Sequence, residues 1–277
     1  MTPSPSLRVG PSGWEYPGWK GVVYPARNSG RVHALEYLSR YFDVVEIENT
    51  FRRPLRPEVS RLWLARVARN PDFLFTAVLG KRFTYERSLE AAEVARFKEG
   101  LWPLLRAGRF GCLLLQFSWA FRFTPENREF LIQLRRAFHE FPMAVEMRHA
   151  SWMAEEALGT LIDYRLGFAN IDQREQASAM PPSALVTSSI GYVRLHGRDR
   201  GYWRREFASA PGLDDYLYSP AELSQWKQRI EHVQAHAGTT FVILANQAAG
   251  KSVVNGLQMA ALLGAQPDTH TPRRAVA

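Results

Sequence analysis

Apolar residues along this chain fall into two alternating patterns: short continuous runs of Val, Ile, Leu and Phe, and longer stretches whose apolar positions recur at helical spacing. Short runs of the first kind suit strands buried on both faces, as in a parallel sheet. They centre on Val9, Val45, Phe75, Leu114, Val145, Ala169, Val193 and Ile243. Helical stretches follow over Leu35 to Tyr41, Pro57 to Arg69, Glu90 to Leu105, Pro125 to Phe138, Trp152 to Tyr164, Ala221 to His236 and Ser252 to Leu263. The round after the sixth strand is the weak one, because Gln173 to Pro182 supports at most a short or broken helix. Thr124 before Pro125 and Ser219 before Pro220 each place an N-cap oxygen beside a proline suited to a first helical turn.

Repeated β-then-α order predicts parallel strands with right-handed crossovers, and eight such units close into a single (β/α)8 TIM barrel. An open doubly wound α/β sheet competes with it. That fold usually carries a glycine-rich phosphate loop after its first strand, where this chain carries aromatics. Gly10 to Arg31 holds Trp14, Tyr16, Trp19 and Tyr24, and Gly197 to Ser219 holds Tyr202, Trp203, Tyr216 and Tyr218. These stretches are the long first and seventh βα loops, expected over the mouth of the barrel, where substrates bind. One domain over residues 1–265 and a flexible tail over 266–277 complete the expected organisation.

Composition narrows the class without choosing a reaction. At 277 residues and 46% apolar, the chain can bury the core of one barrel. Cys112 is its only cysteine, which excludes an intramolecular disulfide, and its apolar surroundings point to a buried structural thiol. No apolar run approaches the roughly 18–20 residues of a membrane span and the start does not read as a secretion signal, so the expected address is the cytoplasm. The net charge of +8, mostly from arginine, suits a phosphate-bearing small molecule or nucleic acid as partner. Arginines on solvated faces account for that charge equally well.

Polar residues gather where the apolar runs end. Strand alternation puts Glu146 and Arg148 on one face, with His149 on the other or in the loop beyond, and repeats the spacing in Arg194 and His196. Asn170 and Asp172 share a face of the sixth strand. Glu46, Glu146, Asp172 and His196 are the candidate acid/base groups, and Arg148, His149 and Arg194 are candidates for holding an anionic substrate. The competing reading is an internal charge network of Glu146 and Arg148, with Glu46, that fills the barrel. Glu46, Glu146, Asp172 and His196 together would suit a divalent cation, but Arg148 and Arg194 would repel one, so an anion site is favoured over a metal site. Among the aromatics, Trp14 is the candidate for touching a ligand, while Trp19 and Trp152 are expected to pack.

The chain resembles a known family of barrel proteins, the DUF72 or YecE-like family, sometimes described as related to sugar isomerases. The resemblance runs from Gly10 to about Met259. It is carried by Ser12 to Gly21, Tyr24-Pro25, Val45-Glu46-Ile47, Thr50-Phe51, Leu115-Gln116-Phe117, Val145 to Trp152, Arg194 to Gly197, and Asn246 with Gly250 and Asn255. It implies a TIM barrel and no particular reaction. Ser12, Gln116 and Asn246, strand-end landmarks of the resemblance, join the candidates for substrate binding. The chain also departs from the family pattern. Val78 stands where the third strand usually carries a lysine, Arg52 follows Phe51 in place of tyrosine, Thr84-Tyr85 replaces Thr-His, and Asn246-Gln247 replaces Asn-Asn. Lys81 is the residue nearest in sequence that could stand in for the lysine. Three functions remain in view: an enzyme acting on a phosphodiester or phosphorylated sugar, a non-catalytic nucleic-acid-binding module or inactive member, and a rigid scaffold for a protein partner.

Overall fold

Eight parallel strands form one sheet in the order β1-β8-β7-β6-β5-β4-β3-β2, so every strand pairs with its neighbours in sequence and the two ends of the order meet as a barrel. The computed structural model describes residues 6–25, 33–174, 177–198 and 215–265. The strands are β1 (Ser6–Pro11), β2 (Val44–Ile47), β3 (Leu74–Val78), β4 (Phe110–Gln116), β5 (Met143–Glu146), β6 (Gly167–Asp172), β7 (Ile190–Leu195) and β8 (Thr239–Leu244). The helices around them are α1 (Ala34–Leu38), α2 (Pro57–Arg66), α3 (Lys81–Thr84), α4 (Ala91–Arg106), α5 (Pro125–Ala137), α6 (Glu155–Asp163), α7 (Pro220–His236) and α8 (Lys251–Leu262). This is the (β/α)8 TIM barrel that the alternation predicts.

The β1–β2 seam closes by one bridge, between Ser12 and Glu46, with the Gly13 N–H donating to the Glu46 carbonyl at 2.8 Å. Backbones approach so closely there that a Cβ on Gly10 would lie 1.9 Å from the Val44 carbonyl oxygen. Glycine at position 10 is therefore what lets the barrel shut.

Strand register decides which side chains enter the barrel. Ala169 and Ile171 pair with Tyr192 and Arg194, which pair in turn with Phe241 and Ile243. Those residues face inward. Their alternates Val193, Leu195, Val242 and Leu244 face outward and pack with Leu223, Trp226 and Ile230 of α7 and Met259 of α8. Deep in the interior, the Phe241 ring approaches Gly111, where a Cβ would meet it at 2.4 Å. Gly111 is the extra residue of an irregularity between β3 and β4, and its missing side chain makes room for that ring.

Helix ends follow the expected chemistry. The Thr124 side chain accepts from the Asn127 N–H at the start of α5, and Ser219 and Glu222 form a reciprocal capping box on α7. The stretch expected as one helix from Trp152 to Tyr164 is instead a 3-10 turn (Ala150–Met153) and α6, divided by Ala154 in an extended conformation. The short α3 has no counterpart among the helical stretches that the spacing predicts. The described part of Gln173 to Pro182 forms no helix. Tyr202, Trp203 and the 266–277 tail lie outside the described residues. Among the described residues no helix is long and apolar enough to cross a membrane.

Candidate functional site

Inward residues of five strands meet at the C-terminal end of the barrel, where a TIM barrel carries its chemistry. Glu46 follows from β2, Gln116 from β4, Glu146 from β5, and Arg194 with His196 from β7 and its extension. Ser12 enters from just beyond β1 and Arg148 from just beyond β5. Glu46 and Glu146 are fully buried, Arg148 is 1% exposed, and Arg194 and His196 are each 3% exposed. Charges so deep must be matched by partners, because desolvating an unpaired ion costs several kcal/mol, to order of magnitude.

Arg194 is the tie between the two carboxylates. Its Nη2 donates to Glu46 Oε1 at 2.8 Å, and its Nη1 donates to Glu146 Oε2 at 2.8 Å and also to Gln116 Oε1. Glu46 Oε1 also accepts from Ser12 Oγ at 2.7 Å, and Oε2 accepts from the Tyr192 hydroxyl at 2.7 Å. Burial raises the Tyr192 pKa well above its usual value and the Glu46 carboxylate adds to the rise, so this phenol remains a donor. Burial opposes the charge on Arg194, but Glu46 and Glu146 outweigh it and hold the guanidinium firmly protonated.

Glu146 holds a cation and an imidazole side by side. Its Oε1 accepts from Arg148 Nε at 3.0 Å and contacts His196 Nε2 at 3.1 Å. Burial alone would raise the Glu146 pKa, but His196, Arg194 and Arg148 bring it well below the usual carboxylate range. An ionised carboxylate only accepts, so Nε2 of His196 carries the hydrogen. Burial lowers the His196 pKa despite the pull of Glu146. In the resulting neutral ring the basic lone pair sits on Nδ1.

Both shifts act on stability with the same sign. His196 lies below its usual 6.5 and Glu146 well below its usual 4.5, so in acid the unfolded chain binds more protons than the folded one. Their contribution is present in full above about pH 6.5 and is lost progressively as the pH falls. The thermal midpoint should therefore drop between about pH 7 and about pH 5, and His196→Gln should flatten that drop. An acid slope identical in the variant would contradict a buried neutral imidazole.

Other candidates lie apart from this cluster. Asp172 and Asn170 do share a face, but it is the outer one, since they pair with outward Leu195 and Val193. Asp172 accepts from Trp226 Nε1 of α7 at 2.9 Å and from Arg198 Nη2 at 3.0 Å. The expected convergence of Asp172 with Glu46, Glu146 and His196 is thus corrected by register. Asn246 is also outward, donating to the Tyr216 carbonyl and to Asn255 Oδ1 at 2.8 and 2.9 Å. Trp14 packs edge-on against Trp63 of α2, with centroids 4.8 Å apart. Trp19 and Trp152 are fully buried, their indole N–H groups donating to the Gln247 and Phe121 carbonyls.

His149 stands at the edge of the mouth in the β5 extension. Its Nδ1 accepts from the Ser151 N–H at 3.1 Å, which leaves the neutral ring's hydrogen on Nε2, and the ring lies 5.3 Å from that of Trp119. Val78 continues the inward phase of Thr76 and is buried. Lys81 is on the rim with Nζ 3.9 Å from Glu86, so it does not restore a cation at the cluster. Cys112 is buried, and that burial pushes its thiol pKa up, which suits a structural role.

Two members of the network were not anticipated from sequence: Tyr192 and Thr76, whose hydroxyls meet at 3.2 Å beneath Glu46. Tyr192-Arg194-His196 is an alternating set on one strand, and that spacing was the available signal. Among the described residues no three His, Cys, Asp or Glu side chains are arranged to hold a metal ion. The two glutamates at the centre are saturated by guanidinium, hydroxyl and imidazole groups instead.

The comparisons with known proteins agree with the barrel. UPF0759 protein YunF of Bacillus subtilis is 23% identical over 97% of this chain and 98% of its own length. A DUF72 family protein from Thermotoga maritima has a similar crystal structure, with TM-score 0.79 and 28% identity over 94% of this chain and 99% of that one. A crystal structure of a DUF72 family protein from Enterococcus faecalis gives TM-score 0.80 at 21% identity, covering 98% of this chain and all of that one. The model of the family described as "Protein of unknown function DUF72" matches residues 8–276, and the chain belongs to that family.

Proposed function

We propose that the barrel mouth is the active site of an enzyme acting on a phosphate-bearing substrate, a phosphodiester or a phosphorylated sugar. The supporting observation is that Arg148 and His196 share one oxygen of Glu146, at 3.0 and 3.1 Å. That arrangement sets a permanent cation beside a neutral imidazole. A guanidinium suits anionic phosphate oxygens, and an imidazole whose Nε2–H is held by a carboxylate accepts a proton at Nδ1. In this reading His196 transfers the proton, Glu146 fixes its tautomer, and Arg148 binds the anion. Arg194, Glu46, Gln116 and Ser12 hold the frame. Hydrolysis or isomerisation would both use these parts.

The test is a thermal-shift panel of phosphorylated sugars and short oligonucleotides on wild type and Arg148→Lys, since a ligand bound by the native state raises the midpoint by mass action. The expected result is a shift with a phosphate ester that the variant loses while remaining folded by circular dichroism. A shift retained in the variant would remove Arg148 from the site. Oligonucleotide affinity that falls steeply with salt, without turnover, would favour the non-catalytic reading to which the +8 charge also lends support.

A further inference from the structure

A concavity opens beyond the ends of β2 and β3, lined by residues outside the buried cluster. It has a volume of 210 Å3 and is walled by the turn after β2, the start of α3 and the side of α4. Its apolar lining includes Phe51, Phe83 and Phe97, and the last two are almost fully buried. Around that apolar base the lining is strongly cationic.

The positive charges are not equally matched. Arg82 is tied to Glu86 and Glu93, with its Nη1 2.9 Å from one and its Nε 3.0 Å from the other. Lys81 also leans on Glu86. Arg52 and Arg53, which follow Phe51 directly, make no ion pair among the described residues. Arg96 makes none either, and it reaches Glu93 only through space, helping to lower that carboxyl's pKa. The two carboxylates of the lining are thus engaged by Arg82 and Lys81, and three guanidiniums border the same cavity without a carboxylate of their own. Like charges gathered this way repel one another, and an anion between them relieves the repulsion.

We infer that this cavity is a second anion site, which takes the phosphate of a small phosphate ester against Arg52, Arg53 and Arg96 and its short carbon skeleton against Phe51 and Phe97. Size selects the class. Pockets that enclose drug-sized ligands run to roughly 300–1,000 Å3, so a cavity of 210 Å3 suits a short phosphorylated chain rather than a whole nucleotide. Charge selects phosphate, because a guanidinium meets its oxygens as a planar fork. The site is distinct from the buried network: none of its lining residues is Glu46, Arg194, Glu146 or Arg148.

The experiment is isothermal titration of wild type with glycerol 3-phosphate, inorganic phosphate, sulfate and a short oligothymidylate. The same titrations are run on the double variant Arg52→Gln/Arg53→Gln and on Arg148→Lys. Arg52 and Arg53 are exposed, so the double variant should fold as wild type does. Glycerol 3-phosphate should bind wild type more tightly than either inorganic anion, lose about tenfold or more in the double variant, and be unaffected at this site in Arg148→Lys. Equal affinity for sulfate and the ester would mean an adventitious ion only and overturn the inference. So would an ester affinity unchanged in the double variant, or binding of the oligothymidylate alone. Loss of ester binding in Arg148→Lys with none in the double variant would assign the ligand to the mouth instead.

Discussion

Arg194→Leu is expected to destabilise the folded chain by about 3–5 kcal/mol, the usual consequence of removing one partner from a buried ion network. Typical native stability is only about 5–15 kcal/mol, so the variant should unfold at a much lower denaturant concentration. The cost arises from what remains. Glu46 and Glu146 both lie at 0% exposure and both lean on this guanidinium, Glu46 through Oε1 and Glu146 through Oε2. Without it, among the described residues, Arg148 is the one arginine still bonded to Glu146, and Glu46 keeps the neutral side-chain donors Ser12 and Tyr192. A second substitution separates lost charge balance from lost packing. Adding Glu46→Gln to Arg194→Leu removes the uncompensated carboxylate and should recover part of the loss, which a double-mutant cycle reads as a coupling energy. A loss under about 1 kcal/mol for Arg194→Leu would mean that water enters the barrel and screens the pair.

His196→Gln should lower turnover of a phosphate ester by about 10²–10⁴, the usual worth of a positioned acid/base group. Glutamine keeps an N–H that can donate to Glu146 but has no nitrogen lone pair that accepts a proton. Steady-state kinetics should therefore show the loss mainly in kcat, with KM little changed, because Arg148, the guanidinium proposed to bind the anion, is untouched. A rise in KM with kcat preserved would make His196 a binding residue and move proton transfer elsewhere.

The barrel was legible in the chain because eight apolar runs alternate with helical stretches, and each run became a strand. Cap chemistry was legible at Thr124 and Ser219 for the same local reason. Facing was harder. Glu146–Arg148 and Arg194–His196 were correctly paired by alternation, but β6 is buried on both faces, so nothing in Gly-Phe-Ala-Asn-Ile-Asp says which alternate set points inward. The sequence alone therefore allows Asp172 at the mouth, and only the register against β7 turns it out towards Trp226. Asn246, a candidate through the family resemblance alone, is one residue out of phase with inward Ile243 and faces outward. Trp14 is a ligand candidate by its place two residues beyond strand-end Ser12, whereas its packing against Trp63 depends on a helix distant in sequence. The cavity beside Arg52 and Arg53 had no sequence signal at all, because it exists only where the turn after β2 meets α4.

If Glu146 holds Arg148 and His196 together for chemistry on a phosphate ester, as proposed, the protein must convert such an ester and lose that conversion with His196. The most direct measurement is phosphorus NMR of a panel of phosphorylated sugars and phosphodiesters incubated with wild type and with His196→Gln. A new phosphorus resonance that grows with wild type and is abolished or slowed at least about a hundredfold in the variant is the expected result. No new resonance with wild type, or conversion at equal rates by both proteins, would contradict the claim and leave the buried charges as a structural network.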